Sequence, residues 1–256
     1  MPLIHQLRKE QPLVHCITNI VVANFQANGL LAIGASPVMA DAIEEAKDIA
    51  KVADCSILNI GTLKQQTVDA MILSGNSARA AGKPVVLDPV GAGATPFRKA
   101  CVLQILDEVD VTLLRCNVGE LAAIADIPWN AKGVDAGEGQ ADVEGIAKIV
   151  ALKYACLVAV SGEIDIVTDG HSTLSITGGH PMMTNITGTG CLLSSVVGAF
   201  LSIGSERPLE AAAAALAFYK RAGKEAAKVS HGPGDFAMNF LNALYTLDRK
   251  TKTYLV

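Results

Sequence analysis

The stretch Thr184-Asn185-Ile186-Thr187-Gly188-Thr189-Gly190-Cys191 is where residue types and spacing first point to chemistry. It reads as a turn that opens a helix, with Thr187 as the expected N-cap. Gly188 and Gly190 let the backbone bend tightly and lie close to a ligand. Residues 192–201 are apolar on nearly every side and predict a buried helix. The first turn of such a helix aims free N–H groups at an internal point, which favours an anion and above all phosphate. Cys191 lies in that turn, where the same field is expected to lower its thiol pKa. A phosphate cradle with a deprotonatable side chain at its rim suggests phosphoryl transfer. Without a ligand, the same residues are a strand-to-helix turn with an inert cysteine. The pattern is not a Walker A loop, which needs Gly-x-x-x-x-Gly-Lys. Nor is it a dinucleotide fingerprint, since Leu193 stands at the third glycine position.

Other chemically useful groups end apolar runs. Residues 84–88 are apolar until Asp88, a place where a carboxylate commonly holds a metal or a catalytic water. Residues 111–115 end in Arg115, whose planar fork suits oxyanions better than a lysine would. Asn117 and Glu120, three apart, meet on one helical turn and fit a capping box, a role compatible with a functional one. Ser161 ends the run 157–161. Met39 ends the short strand read within 34–40, where ligands of open parallel sheets gather, although a methionine there also serves as core. Thr18 or Asn19 is expected to cap a helix running to about residue 33. That helix carries Asn24 and Asn28 on one face, able to bind a polar ligand or to be solvated.

Strands and helices in alternation must bring these groups together. Apolar strands are expected at 34–40, 55–60, 84–88, 111–115 and 157–161, with a helix after each of the first four. Residues 164–168 and 172–177, joined by Asp169-Gly170-His171, predict a β-hairpin. Helices follow at about 208–229 and up to 247, and 130–139 is a polar loop. The pattern is α/β, a mostly parallel central sheet with helices on both faces and the hairpin as an antiparallel edge. With 256 residues and no linker or repeat, a single domain over 1–256 is expected. A formal charge of −4 gives no electrostatic case for nucleic acid. There is no apolar run long enough to span a membrane and no signal-peptide core at the start. The six scattered cysteines form no CxxC pair and suggest reduced thiols in a cytoplasmic protein.

Several motifs, taken in order, resemble the hydroxyethylthiazole kinase family of the ribokinase-like superfamily. They are Cys16-Ile17-Thr18-Asn19, the run from Asn28-Gly29 to Val38-Met39, and Leu58-Asn59-Ile60-Gly61-Thr62-Leu63. Leu87-Asp88-Pro89-Val90-Gly91-Ala92-Gly93, Lys132-Gly133-Val134-Asp135-Ala136-Gly137 and Thr187-Gly188-Thr189-Gly190-Cys191 complete the set. The resemblance implies a three-layer ribokinase-like fold and phosphorylation by MgATP of the primary alcohol of 4-methyl-5-(2-hydroxyethyl)thiazole. It implies a homotrimer with active sites between adjacent subunits. By motif match, Met39, Gly188 and Asn19 contact the thiazole, Arg115 and Ser161 contact ATP, and Asp88 and Glu120 help hold Mg2+ and phosphate. Cys191 falls where related sugar and pyrimidine kinases carry an aspartate base, so a thiolate there is a candidate proton acceptor; its alternative role is shape and polarity. Thr189 replaces an expected alanine and offers a hydroxyl to a phosphate oxygen, and Cys116 replaces an expected glycine beside Arg115. The rival readings are a related kinase with another alcohol, a non-catalytic sensor and a cysteine hydrolase.

Overall fold

The computed structural model describes residues 2–127 and 142–249. The strands are β1 (Leu13–Ile17), β2 (Ser36–Val38), β3 (Cys55–Asn59), β4 (Val85–Asp88), β5 (Leu113–Asn117), β6 (Leu157–Ser161), β7 (Asp165–Thr168) and β8 (Thr173–Ile176). The helices are α1 (Leu3–Glu10), α2 (Ala23–Ile33), α3 (Ile43–Val52), α4 (Gln65–Ala80) and α5 (Pro96–Glu108). They continue with α6 (Val118–Ile124), α7 (Val143–Tyr154), α8 (Thr189–Ile203), α9 (Pro208–Ala227) and α10 (Pro233–Thr246). Among the described residues, the eight strands form one sheet in the order β2-β1-β3-β4-β5-β6-β7-β8. β1 to β6 pair in parallel, and β7 and β8 close one edge as the expected antiparallel hairpin.

The sheet separates two apolar cores. One contains residues of α1, α2, α8, α9 and α10; the other contains residues of α3 to α7. The pleat assigns strand residues to each. Cys55, Ile57, Val86, Leu113, Leu157 and Ala159 face the α8 side, while Leu58, Leu87, Leu114 and Val158 face the other. Extending that alternation to the carboxyl ends turns Asn59, Asp88, Arg115 and Ser161 toward α8. α8 itself packs close to the sheet, because a Cβ at Gly198 would fall 2.4 Å from Cδ1 of Ile57.

Several expectations need correction. The sequence predicts only a lead into a helix over residues 12–19, yet β1 lies inside the sheet between β2 and β3. Its run is short and contains His15, which is buried with Nε2 at 2.8 Å from the Ala40 carbonyl and Nδ1 at 3.2 Å from Ser74 Oγ. α2 begins only at Ala23 with no side-chain cap, so neither Thr18 nor Asn19 caps it. β2 keeps only three residues of the expected 34–40. β5 starts two residues late and extends through Asn117. The motif 132–137 and the loop 130–139 lie outside the described residues.

Candidate active site

α8 starts without a side-chain cap. Its N-cap is Gly188, not the expected Thr187, with φ +93°. A Cβ at Gly188 would also fall 2.8 Å from Val22 Cγ1, so both backbone conformation and space demand glycine there. The dipole-bearing first turn, Thr189 to Cys191, is therefore free of a competing side-chain cap. The Thr189 hydroxyl is engaged elsewhere. It donates toward the Met183 and Ile186 carbonyls at 2.9 and 3.2 Å and so ties a 3-10 turn, Pro181–Asn185, to α8. The expectation that it donates to a phosphate oxygen is corrected accordingly, since a hydroxyl has one proton.

Beneath this turn runs a chain of polar side chains from the strand ends. Asn19 Nδ2 donates to Asn59 Oδ1 at 2.8 Å and toward Cys191 Sγ at 3.5 Å. Asn59 Nδ2 and Ser194 Oγ each donate to Asp88 Oδ2 at 2.8 Å. Arg115 Nη1 stands 3.4 Å from Asp88 Oδ1, and Nη2 donates to Ser161 Oγ at 2.6 Å. Arg115 Nε is buried with no partner. The guanidinium also lies against α8, 3.0 Å from where a Cβ on Gly190 would be. Gln26 of α2 donates to the Cys191 carbonyl at 2.8 Å and to Ser195 Oγ at 3.1 Å, fixing the first turn of α8 from the other side.

Glu120 joins two loops. Its Oε2 accepts from Asn117 N and its Oε1 from Gly91 N, each at 2.9 Å. Asn117 Oδ1 accepts from Glu120 N, which completes the expected capping box. Burial pushes the Glu120 carboxyl up, the Asp88 charge adds to this, and Arg115 opposes it. Burial likewise lifts the Asp88 carboxyl, with Arg115, Ser194 and Asn59 pulling it back. Two buried carboxylates share a single guanidinium, an arrangement short of positive charge. A divalent cation with phosphate oxygens and water as its other ligands fits that donor set. Among the described residues no three His, Cys, Asp or Glu form a metal-binding group, so a cage built from protein alone is not offered.

Cys191 reverses its expected ionisation. Burial raises its thiol to about 11, and the Asp88 charge adds to the rise against Asn59, Arg115 and Asn19. Desolvation and a nearby carboxylate outweigh the field of the helix N-terminus, and the side chain is a thiol at neutral pH.

A cavity of about 680 Å³ adjoins the chain at Arg115 and Ser161 and extends under Thr189 and Gly190 to Tyr219 and Lys220. Its size suits a nucleotide-sized ligand. Of the residues singled out in the sequence, Asn19, Asp88, Arg115, Ser161, Glu120, Gly188 and Cys191 gather at this carboxyl edge. Met39 follows β2 and packs, partly buried, against the α8-side core, with no polar contact to the others. Asn24 and Asn28 bond each other on an exposed face, which is the solvated alternative. Cys116 lies fully buried in the opposite core, so it leaves Arg115 undisturbed. Sequence reasoning missed Asn59, Ser194, Gln26 and Lys220. Asn59 was legible through the pleat: it ends β3 as Asp88 ends β4, and the two are register partners.

The three layers, with α8 over the carboxyl edge of a mostly parallel sheet, give the chain a fold of the ribokinase-like class. The fold is similar to that of a ribokinase-like superfamily protein from Enterococcus faecalis V583 (TM-score 0.65, 13% identity, covering 93% of this chain and 88% of that one). Within that class the chain belongs to the hydroxyethylthiazole kinase family, whose model matches residues 4–250. A hydroxyethylthiazole kinase from Lysinibacillus sphaericus is 49% identical over 244 residues, 95% of each chain. One from an Exiguobacterium species is 50% identical over 247 residues, 96% of this chain and 94% of its own. The structure of a hydroxyethylthiazole kinase from Pyrococcus horikoshii OT3 matches with TM-score 0.88 at 38% identity, covering 96% of this chain and 92% of that one.

Proposed function

We propose that this chain is a hydroxyethylthiazole kinase that transfers the γ-phosphoryl group of MgATP to the primary alcohol of 4-methyl-5-(2-hydroxyethyl)thiazole. Family membership supports the substrate. The observation that carries the site reading is Arg115, a buried guanidinium that lines the cavity and lies against the first turn of α8. A guanidinium that lines a cavity beside an uncapped helix N-terminus suits phosphate oxygens.

In this reading the triphosphate lies along Arg115 and Ser161, with its transferred end over the N–H groups from Gly188 to Cys191. Asp88 and Glu120 would hold the Mg2+, which when bound offsets charge on the phosphate oxygens. Asn19, Gly188 and Met39 would contact the thiazole, and Cys191 places the alcohol as a neutral thiol oriented by Asn19. Little covalent work falls to the protein, so positioning and electrostatics carry the rate. A thiolate base is not part of this mechanism.

One domain, formed around the single sheet, carries the whole activity. The cavity encloses the Arg115 end, whereas the chain next to Asn19 presents Ile20 and Val21 at 82% and 64% exposure. Such exposed aliphatics beside the site support a homotrimer in which an adjacent subunit covers the thiazole. Six free cysteines, five of them buried, support a cytoplasmic enzyme, and no described helix is long and apolar enough to cross a membrane. The test is ADP release from MgATP with the thiazole alcohol, hydroxymethylpyrimidine or ribose. Release dependent on the thiazole alcohol is expected; turnover with another alcohol alone, or none with any, would overturn the assignment.

A further inference from the structure

Lys220 of α9 is a buried charge that the mechanism above leaves unused. It is 6% exposed and lines the cavity. A lysine in a nucleotide cavity ordinarily suggests a phosphate contact. Here Nζ lies 3.1 Å from Asp165 Oδ1, 3.0 Å from the Gly162 carbonyl, 2.8 Å from the Glu163 carbonyl and 3.5 Å from the Gly178 carbonyl. An ammonium has three protons, and oxygens of its own chain already claim them. These oxygens belong to two separate walls of the cavity. Gly162, Glu163 and Asp165 form the turn between β6 and β7, where Gly162 N also donates to Asp165 Oδ1 at 2.9 Å. Gly178 and Gly179, at φ +117° and +81°, lie along the lysine stem: a Cβ added to either would fall 3.6 Å from its Cβ and Cγ respectively.

We propose that Lys220 is a positioning residue for the nucleotide: its ammonium binds the β6–β7 turn to the Gly178-Gly179 turn and so fixes the cavity walls, without touching phosphate. The inference rests on the reading that this cavity takes ATP. Binding of that kind acts on the part of the ligand that fills the cavity, so a loss of Lys220 is felt by adenosine as much as by ATP.

The experiment measures competition by ATP and by adenosine against a fluorescent ATP analogue, with steady-state kinetics alongside. The full chain is compared with Lys220→Met, Lys220→Arg and the double variant Lys220→Met/Asp165→Asn. The double variant removes both charges together and leaves no unpaired buried carboxylate to unfold the protein. In Lys220→Met or the double variant, affinity for ATP and adenosine is expected to fall in parallel by about tenfold or more. KM for ATP is expected to rise with it, while KM for the thiazole alcohol and kcat change by less than about threefold. Lys220→Arg, which still donates to the turn carbonyls, is expected to recover most of the affinity. A purely structural role would lower kcat through lost folded protein and leave KM for ATP in place, which would overturn the proposal. Loss confined to ATP, with adenosine unaffected, would make Lys220 a phosphate ligand and overturn it equally. Failure of the unmodified chain to bind ATP would instead overturn the reading of the cavity itself.

Discussion

On the proposed mechanism, replacing Cys191 with alanine removes a thiol that Asn19 holds in place rather than a base. The expected effect is a fall in kcat of about tenfold with a smaller rise in KM for the alcohol, below the range typical of a lost general base. Since the thiol titrates at about 11, the pH profile of kcat should show no inflection between pH 7 and 9 that vanishes in Cys191→Ala. Iodoacetamide should label Cys191 slowly at pH 7.5 for the same reason. An inflection in that range, abolished by the substitution, would restore the thiolate. Arg115 carries a different burden. Arg115 meets Asp88 and Ser161 with two different nitrogens, a planar fork that the compact ammonium of a lysine does not reproduce, so Arg115→Lys is expected to cost about 100-fold in kcat/KM for ATP. Equal kcat/KM in a folded Arg115→Lys variant would remove the arginine from the phosphate site.

The elements place these side chains through close approaches that glycines permit. A Cβ on Gly29 of α2 would fall 2.4 Å from both Cδ atoms of Leu192, the residue that follows Cys191. Gly29→Ala should therefore push the start of α8 away from α2. It is expected to lower stability by about 1–3 kcal/mol in chemical denaturation and to reduce kcat as well. Much of this scaffold is legible in the sequence. β6, the hairpin edge, the buried α8 and the Asn117–Glu120 box all follow from local pattern. β1 is not, because five residues containing a polar His15 carry too little periodic signal, and their strand identity comes from pairing on both sides. The α8 cap escapes the sequence because a local Thr187 signal competes with a left-handed Gly188 that only tertiary packing on Val22 demands. The Cys191 shift escapes it for a related reason: sequence shows the helix N-terminus but neither the depth of burial nor Asp88, which arrives from a distant strand.

At the scale of the molecule, activity and stability should respond differently to acid. Asp88, Glu120 and Asp165 all have carboxyls raised mainly by burial. Between the unfolded value near 4 and these raised values, the folded protein binds more protons than the unfolded chain does. Those three groups therefore favour the fold as pH falls through that window, while on the proposed reading protonated Asp88 and Glu120 no longer hold the cation. His15 works the other way, since burial lowers its pKa and the neutral ring's contribution is lost as pH falls from about 6.5 toward the folded value. Acidification should thus abolish turnover while these three carboxyls still favour the fold. Activity and Tm measured together from pH 8 to pH 4 check this, and a His15→Gln variant should show a flatter dependence of Tm on pH between 7 and 5. Parallel loss of turnover and Tm in both proteins would contradict the shifts.

The position of β1 inside the sheet, with α8 laid across it, also sets a timetable for synthesis. The chain delivers β1, β3 and β4 early, and the helix that covers one face of them only at Thr189–Ile203. At a ribosomal rate of about 5–20 residues per second, the apolar α8 face of those strands waits on the order of ten seconds for its cover. The nascent chain is then a half-built parallel sheet, slow to complete because its pairings span long separations. The same arrangement that gathers distant strand ends under one helix leaves an apolar sheet face without its cover until α8 has emerged.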